Sequence, residues 1–447
     1  MYKVSLYTLG CKVSSYETEA VAEEFARRGF AIGSFGEVCD VYVINTCTVT
    51  AESDAKSRKY IRRAIRLNPQ AVVLVMGCYS QRSPDEVAAI EGVDAVVGTA
   101  DKMMLVPIAE RLLSERENSK IRNTGGGYSQ KNTPIVSVGE LADTPFEQMR
   151  IERAPRTRGY VKIEDGCECK CTYCAIAAAR GPVRSKLPCD VIDEVKGLYA
   201  SGTREIVLTG IETGSYGADF DNGYTLAALL SELDSQHACD RIRLGSMAPE
   251  LIGEKFISRV GRLKILVPHF HVSMQSGSDS ILREMKRRYT RARALENLRR
   301  IREYMPGVMF TADLMVGFPG ETEEDFRDTV SFVREAGLLD AHVFAYSRRE
   351  GTPAAARADQ VAEDVKRERS ARLIAVKNQV RDEALLGLVR AGAPLSVVFE
   401  TRRGKVYSGH SDSYVEVVCE SETDLRGEIR NVIPLSHKDG IVFGKLI

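Results

Sequence analysis

Gly166-Cys167-Glu168-Cys169-Lys170-Cys171-Thr172-Tyr173-Cys174 puts four thiols within eight residues. Cys167, Cys171 and Cys174 keep the spacing C-x3-C-x2-C. Thiolates are soft ligands, and clustered thiolates suit zinc or iron–sulfur centres. Three of them on one tight loop can each hold one iron of a cubane and leave the fourth iron free. An open coordination position separates a reactive metal site from a closed structural one. Cys169 adds a fourth thiol, so a four-cysteine zinc knot or a closed electron-transfer cluster stands as the alternative.

Working outward, the strand-like run Tyr160-Val161-Lys162-Ile163-Glu164 leads into this loop, and a strand–helix alternation follows. Strands are predicted at Tyr160–Ile163, Glu205–Leu208, Arg241–Leu244, His269–Met274, Met309–Met315 and His342–Ala345. Helical patterns lie between them, at Asp190–Ala200, Leu226–Leu233, the basic Ile281–Tyr304 and Thr322–Glu335. Six βα units fit an incomplete TIM-type barrel, with its active groups at the C-terminal strand ends. The segments there, Leu208-Thr209-Gly210, Gly245-Ser246, Gln275-Ser276-Gly277 and Gly317-Phe318-Pro319-Gly320-Glu321-Thr322, are small or glycine-rich, letting backbone approach a ligand. Such loops are often glycine-rich for turn reasons alone. Asp313 is a carboxylate in an otherwise apolar strand, either a ligand contact or a structurally paired acid. Arg283, Lys286, Arg287, Arg288, Arg291, Arg293, Arg299, Arg300 and Arg302 crowd one region, which reads as a solvated face or as a phosphate-binding patch.

Upstream, Lys3–Thr8, Val41–Asn45, Val72–Met76 and Ala95–Thr99 are short apolar runs separated by helical patterns, which predicts a parallel sheet covered by helices. Cys11, Cys47 and Cys78 each fall just past the C-terminal end of one of these strands. Ligands of open α/β sheets bind at that edge. The three positions are therefore expected to converge as a second three-thiolate site, against the plainer reading of three buried thiols. Cys39 precedes its strand and stands outside this set.

Turn and linker chemistry over 116–149, with Gly125-Gly126-Gly127 at its centre, marks a first boundary. Past a long helical segment, Ala362–Leu388, five short strands are expected: Leu395–Glu400, Lys405–His410, Tyr414–Cys419, Gly427–Pro434 and Ile441–Leu446. They suggest a small β-barrel with Arg402, Arg403 and Lys405 at one turn, a surface suited to RNA. The domains expected are 1–115, a linker at 116–149, 150–383 and 384–447.

The chain has 447 residues, enough for several domains with large cores. Lysine plus arginine equals aspartate plus glutamate at 62 each, so any nucleic-acid partner must be held by local patches. No stretch of eighteen apolar residues predicts a membrane span, and the N-terminus lacks a signal-peptide layout. Eleven cysteines without a secreted framework point to metal ligands and buried thiols in a reducing, cytoplasmic setting.

These motifs together resemble the radical SAM methylthiotransferases across essentially the whole chain. The resemblance rests on Leu9-Gly10-Cys11-Lys12-Val13, Asn45-Thr46-Cys47-Thr48-Val49-Thr50, Gly77-Cys78-Tyr79, Asp165 through Cys174 and Gly317 through Thr322. It implies an α/β multidomain chain: an N-terminal parallel α/β domain, a partial (β/α)6 radical SAM barrel and a C-terminal TRAM β-barrel. It implies two [4Fe-4S] clusters, one on Cys11, Cys47 and Cys78 and one on Cys167, Cys171 and Cys174. The open iron of the second would chelate S-adenosylmethionine (SAM), whose reductive cleavage releases a 5′-deoxyadenosyl radical. Tyr173, Thr209, Gly210, Ser246, Gln275, Ser276 and Asp313 are then expected around SAM. Lys286, Arg287, Arg288, Arg402, Arg403 and Lys405 are expected toward substrate or RNA. Details such as Tyr16-Glu17-Thr18-Glu19 are similar to family members that methylthiolate C2 of N6-threonylcarbamoyladenosine at position 37 of tRNA. The alternatives are isopentenyladenosine-37 tRNA or a ribosomal-protein aspartate as substrate. Outside the enzyme class stand an electron-transfer protein and a tRNA-binding protein. An electron donor such as flavodoxin or ferredoxin and a sulfur source complete the implied partners. Ser14 and Ser15 depart from the usual Asn-Gln, Ala178 from a usual Pro and Ala248 from a usual Glu.

Overall fold

The computed structural model describes residues 1–122 and 133–447. The chain divides into two compact units: residues 1–151 with 165–168 and 174–182, and residues 152–164 with 169–173 and 183–447.

The first unit is a six-stranded, all-parallel sheet in the order β2-β1-β3-β4-β5-β6. Its strands are β1 (Lys3–Thr8), β2 (Ala31–Gly33), β3 (Val41–Thr46), β4 (Val72–Gly77), β5 (Ala95–Val97) and β6 (Ile135–Ser137). β3 and β4 are buried at every position, as continuous apolar runs covered on both faces should be. The helices are α1 (Lys12–Arg27), α2 (Ala51–Leu67), α3 (Cys78–Arg82), α4 (Pro84–Ala88), α5 (Leu105–Arg122) and α6 (Ile176–Arg180). The strand order reverses direction between β1 and β3, which makes the C-terminal ends of these two strands the switch point of the sheet.

In the first unit, two strands lie beyond those expected. β2 lies in a stretch to which the sequence assigns no element, and β6 falls inside the linker expected over 116–149. That linker is narrower than its composition implies, because α5 runs to Arg122 and β6 pairs with β5 from Ile135. Gly125-Gly126-Gly127 lies outside the described residues.

The second unit holds two parallel sheets, β7-β10-β11 and β12-β13-β14-β15. Two-residue strands β8 (Glu164–Asp165) and β9 (Arg184–Ser185) flank the cysteine loop in the chain. The parallel strands are β7 (Arg158–Lys162), β10 (Glu205–Thr209), β11 (Arg241–Leu244), β12 (Ser246–Met247), β13 (His269–Gln275), β14 (Met309–Val316) and β15 (Asp340–Ala345). Only Gly245 separates β11 from β12, so the two sheets join into one run of six parallel strands. This is the incomplete barrel expected from the alternation. Its helices are α7 (Pro188–Ala200), α8 (Leu226–Ser235), α9 (Glu254–Val260), α10 (Asp279–Glu284), α11 (Arg291–Tyr304), α12 (Glu323–Ala336) and α13 (Glu363–Ala391). Thr322 begins α12 with a capping box: its hydroxyl accepts from Asp325 N–H and the Asp325 carboxylate accepts back.

The basic Ile281–Tyr304 stretch is two helices, not one. Lys286 takes a left-handed φ of 57° that ends α10, and the Thr290 hydroxyl caps α11.

The last five strands close into a barrel, β16-β17-β18-β20-β19. They are β16 (Leu395–Arg403), β17 (Val406–Ser411), β18 (Glu416–Glu420), β19 (Ile429–Lys438) and β20 (Ile441–Leu446). Its core of Val397, Phe399, Tyr407, Val417, Val432 and Val442 also takes in Leu385 of α13. No described helix is long and apolar enough to cross a membrane.

Candidate functional site

In the first unit, the three N-terminal cysteines stand where the strand ends deliver them. Cys11 follows β1 and precedes α1, Cys47 follows β3, and Cys78 begins α3 at the end of β4. Gly10 lies against Cys47 closely enough that a Cβ on it would sit 3.5 Å from the Cys47 Sγ, and its φ of 132° disfavours any side chain. Cys11 is exposed, while Cys47 and Cys78 are buried. Burial pushes both buried thiols up, Cys78 to about 11 despite the opposing charge of Arg180. Arg180 Nε donates to the Cys78 Sγ at 3.1 Å. The same guanidinium meets Glu17 and, at 3.2 Å, Asp165. Lys102 reaches Glu17 at 3.2 Å and Glu147 at 2.9 Å. Sequence reading passed over Arg180 and Lys102, and took Glu17 only as part of a family motif, because their partners are distant in the chain.

The C-x3-C-x2-C loop is held from its two flanks. In the first unit, Cys167 N–H donates to the Gly181 carbonyl at 3.0 Å, and the Cys174 Sγ accepts the Ile176 N–H at 3.4 Å. Gly166 has φ 90°, and a Cβ there would come within 1.8 Å of the Pro182 carbonyl oxygen, so this turn requires glycine.

In the second unit, Thr172 N–H donates to the Met285 carbonyl and its hydroxyl to the Glu284 carbonyl at 2.8 Å. Arg287 turns inward: it donates to the Cys171 Sγ at 3.3 Å and to the Ser273 carbonyl at 2.9 Å, and it lies over the Tyr289 ring. Tyr173 meets Phe318 edge-on at 6.5 Å.

Among the described residues, no three of His, Cys, Asp and Glu converge tightly enough to hold one metal ion. A cubane asks for less, because each thiolate takes a different iron and the three stand correspondingly apart.

The remaining residues expected around SAM lie along the strands of the second unit: Thr209, Gly210, Gln275 and Ser276 at or just past C-terminal ends, Ser246 just after β11, and Asp313 within β14. Thr209 ends β10, with Gly210 after it; a Cβ on Gly210 would come 2.4 Å from Glu164 Oε2. Ser246 begins β12. Gln275 ends β13 with φ 66°, an uncommon conformation that often marks functional positions. Ser276 bonds Thr329 at 3.3 Å. Asp313 meets His271 Nε2 at 3.1 Å, which matches its paired-acid reading. Glu212, which sequence reading did not select, is buried here. Its carboxylate accepts the Ala248 N–H at 2.9 Å, and burial raises it to about 7. Thr213 Oγ1 and Glu250 Oε2 are buried without hydrogen-bond partners. Orphaned polar atoms at this edge fit a polar ligand such as SAM.

The basic helices are largely self-neutralised. Arg299 and Arg300 pair with Glu296, Arg291 with Asp328, and Arg302 covers Phe310. Lys286 and Arg288 remain exposed, as do Arg402, Arg403 and Lys405 at the β16–β17 turn. A cleft of about 650 Å3 lies beside the barrel, lined by Arg156, Arg158, Tyr160, Glu400 and Arg426 among others.

Residues 3–98 match the family described as Uncharacterized protein family UPF0004, and residues 161–333 match the Radical SAM superfamily. The chain is 41% identical over 442 residues to the Bacillus subtilis (strain 168) protein named threonylcarbamoyladenosine tRNA methylthiotransferase MtaB, covering 97% of this chain and 93% of that one. It is 33% identical over 382 residues to the Desulforamulus reducens tRNA-2-methylthio-N(6)-dimethylallyladenosine synthase, covering 84% and 80%. A solved radical SAM methyltransferase, TsrM from Kitasatospora setae with cobalamin and a [4Fe-4S] cluster bound, shares the fold at a TM-score of 0.55 and 18% identity, over 79% of this chain and 77% of that one. The chain belongs to the radical SAM tRNA methylthiotransferase family. Within that family it is similar to the enzymes named MtaB, and the family implies SAM and a [4Fe-4S] cluster as cofactors.

Proposed function

We propose that the enzyme methylthiolates C2 of N6-threonylcarbamoyladenosine at position 37 of tRNA, using two [4Fe-4S] clusters. One observation carries the two-cluster part: Cys11, Cys47 and Cys78 stand at one edge of a parallel sheet, in a unit that also folds as the ligand-binding α/β sheets do. When bound, one cluster with SAM supplies the radical that removes hydrogen, and the other holds the sulfur to be delivered. An adenine C2–H is too weakly acidic for a side-chain base, so the protein's task is positioning and shielding.

The chain's own groups divide that task. Arg287 orients Cys171, and Glu212, Thr213 and Glu250 offer polar partners to SAM at the strand ends. Lys286 and Arg288 are cations free to meet a substrate carboxylate, which a threonylcarbamoyl group carries and an isopentenyl group lacks. The C-terminal barrel, with Arg402, Arg403 and Lys405 exposed, is taken as the RNA-binding TRAM domain. A division into an N-terminal cluster domain that takes in α5 and β6, a radical SAM core at 150–383 and a TRAM domain at 384–447, with a cytoplasmic location, an electron donor of the flavodoxin or ferredoxin kind and a separate sulfur source, belongs to the same reading.

The relatives' names support the threonylcarbamoyl substrate over the isopentenyl one through higher identity. The test incubates reduced enzyme, SAM and a sulfur source with two tRNAs, one bearing each modification. Nucleoside mass spectrometry should find the methylthio group on the threonylcarbamoyl nucleoside. Product on the isopentenyl tRNA alone would reject the substrate assignment.

A further inference from the structure

Arg180 occupies an unusual position for a cation. It is fully buried, and so are Glu17 and Lys102 beside it. Its terminal nitrogens are taken up by Glu17 and Asp165, which leaves Nε as the donor aimed at the Cys78 Sγ. The guanidinium cannot turn away without leaving two buried acids unpaired, a costly state. Its place in the chain matters as well. Arg180 ends α6, and α6 begins beside Cys174, whose sulfur accepts the Ile176 N–H. Five helical residues rise about 7.5 Å. One short helix therefore leaves one cysteine set and delivers a fixed donor to a sulfur of the other.

We propose that Arg180 is a positioning residue for the Cys78 thiolate and raises the reduction potential of the N-terminal cluster. This rests on the reading that Cys11, Cys47 and Cys78 hold a [4Fe-4S] cluster. Hydrogen bonds to the sulfurs and local charge set the potential of such clusters. The reduced cluster carries one more negative charge, so a donor at a ligand sulfur stabilises it more than the oxidised form. Glu17 and Asp165 offset the arginine's charge at longer range, which leaves the directional N–H···S bond as the main effect. Lysine keeps the charge but lacks the planar fork that serves two acids and a sulfur together.

The test uses the full chain with Cys167, Cys171 and Cys174 replaced by Ala, so that only the N-terminal cluster reports. In that background, Arg180→Lys should keep its iron and shift the midpoint negative. The ratio of reduced to oxidised cluster at the parent's midpoint should fall at least tenfold, about 59 mV for a one-electron couple. The reduced-state EPR spectrum should change with it. Glu17→Gln combined with Arg180→Gln removes the cation together with its main acid and should shift the same way. Unchanged potentials in both variants with full iron content overturn the inference. Iron lost from both variants while they stay folded also overturns it, because Arg180 would then assemble the site rather than tune it. Absence of iron in the parent background overturns the cluster reading itself, and the inference with it.

Discussion

The carboxylate of Glu212 accepts the backbone N–H of Ala248 at 2.9 Å. A carboxylate therefore stands beside residue 248 although that residue is alanine. Burial raises Glu212 from the ordinary 4.5 to about 7, with the Ala248 N–H and Arg287 opposing and Glu250 adding to the rise.

A pH dependence follows. The folded chain favours the neutral carboxyl, so its contribution to stability is fully present below pH 4.5 and is lost as pH rises through about 7. Glu212→Gln keeps an acceptor for Ala248 and stays neutral. Chemical denaturation of the metal-free protein should find this variant equal to wild type near pH 4.5. Well above pH 7 it should be more stable, by about 3 kcal/mol at 1.36 kcal/mol per pKa unit. A constant difference across that range would mean that the group is not held neutral.

Cys169 sits between two proposed ligands. In the metal-free chain the Cys171 thiol is pushed up first by its hydrogen bond with the Cys169 sulfur and then by burial. Cys169→Ala should nevertheless retain full iron content and SAM cleavage. A loss of iron as large as that from Cys167→Ala would show Cys169 to be a ligand.

Gly166 has no substitute at the entry to the loop. Gly166→Ala meets both a left-handed φ and the Pro182 carbonyl. The variant should lose roughly 2 kcal/mol or more and load less iron. Wild-type iron content and an unchanged melting temperature would remove this constraint from the account.

Much of this was legible in the chain. The segments beginning at Val41 and Val72 are strands because continuous apolar residues suit a sheet covered on both faces, whereas Lys3–Thr8 mixes apolar and polar residues and is only partly buried. β2 and β6 were missed because three half-exposed residues carry no periodicity; pairing with β1 and β5 makes them strands. Arg287 reads as one more cation in a basic run, and only folding turns it onto Cys171. Arg180 and Glu17 are 163 residues apart, a pairing that no local pattern encodes. Glu212 escaped notice because its burial comes from strand ends far along the chain.

RNA binding is expected at the β16–β17 turn. Lys405 already pairs with Glu422, an exposed ion pair that phosphate can displace. Replacing Arg402, Arg403 and Lys405 by Ala should weaken tRNA binding. The dependence of log K on log salt should flatten by about 0.7 for each phosphate that is no longer neutralised. SAM cleavage without tRNA should not change. An unchanged salt slope would assign tRNA binding to another surface.

The central claim is that two cysteine triads hold two separate clusters with different tasks. Iron content, deoxyadenosine formation and methylthiolation should be measured together, anaerobically, on wild type and the two triple-alanine variants. Wild type should carry about eight irons and each variant about four. The variant lacking Cys11, Cys47 and Cys78 should still form deoxyadenosine and make no methylthio product, and the variant lacking Cys167, Cys171 and Cys174 should form neither. Full iron content in either variant, or methylthiolation without the N-terminal triad, would contradict the account.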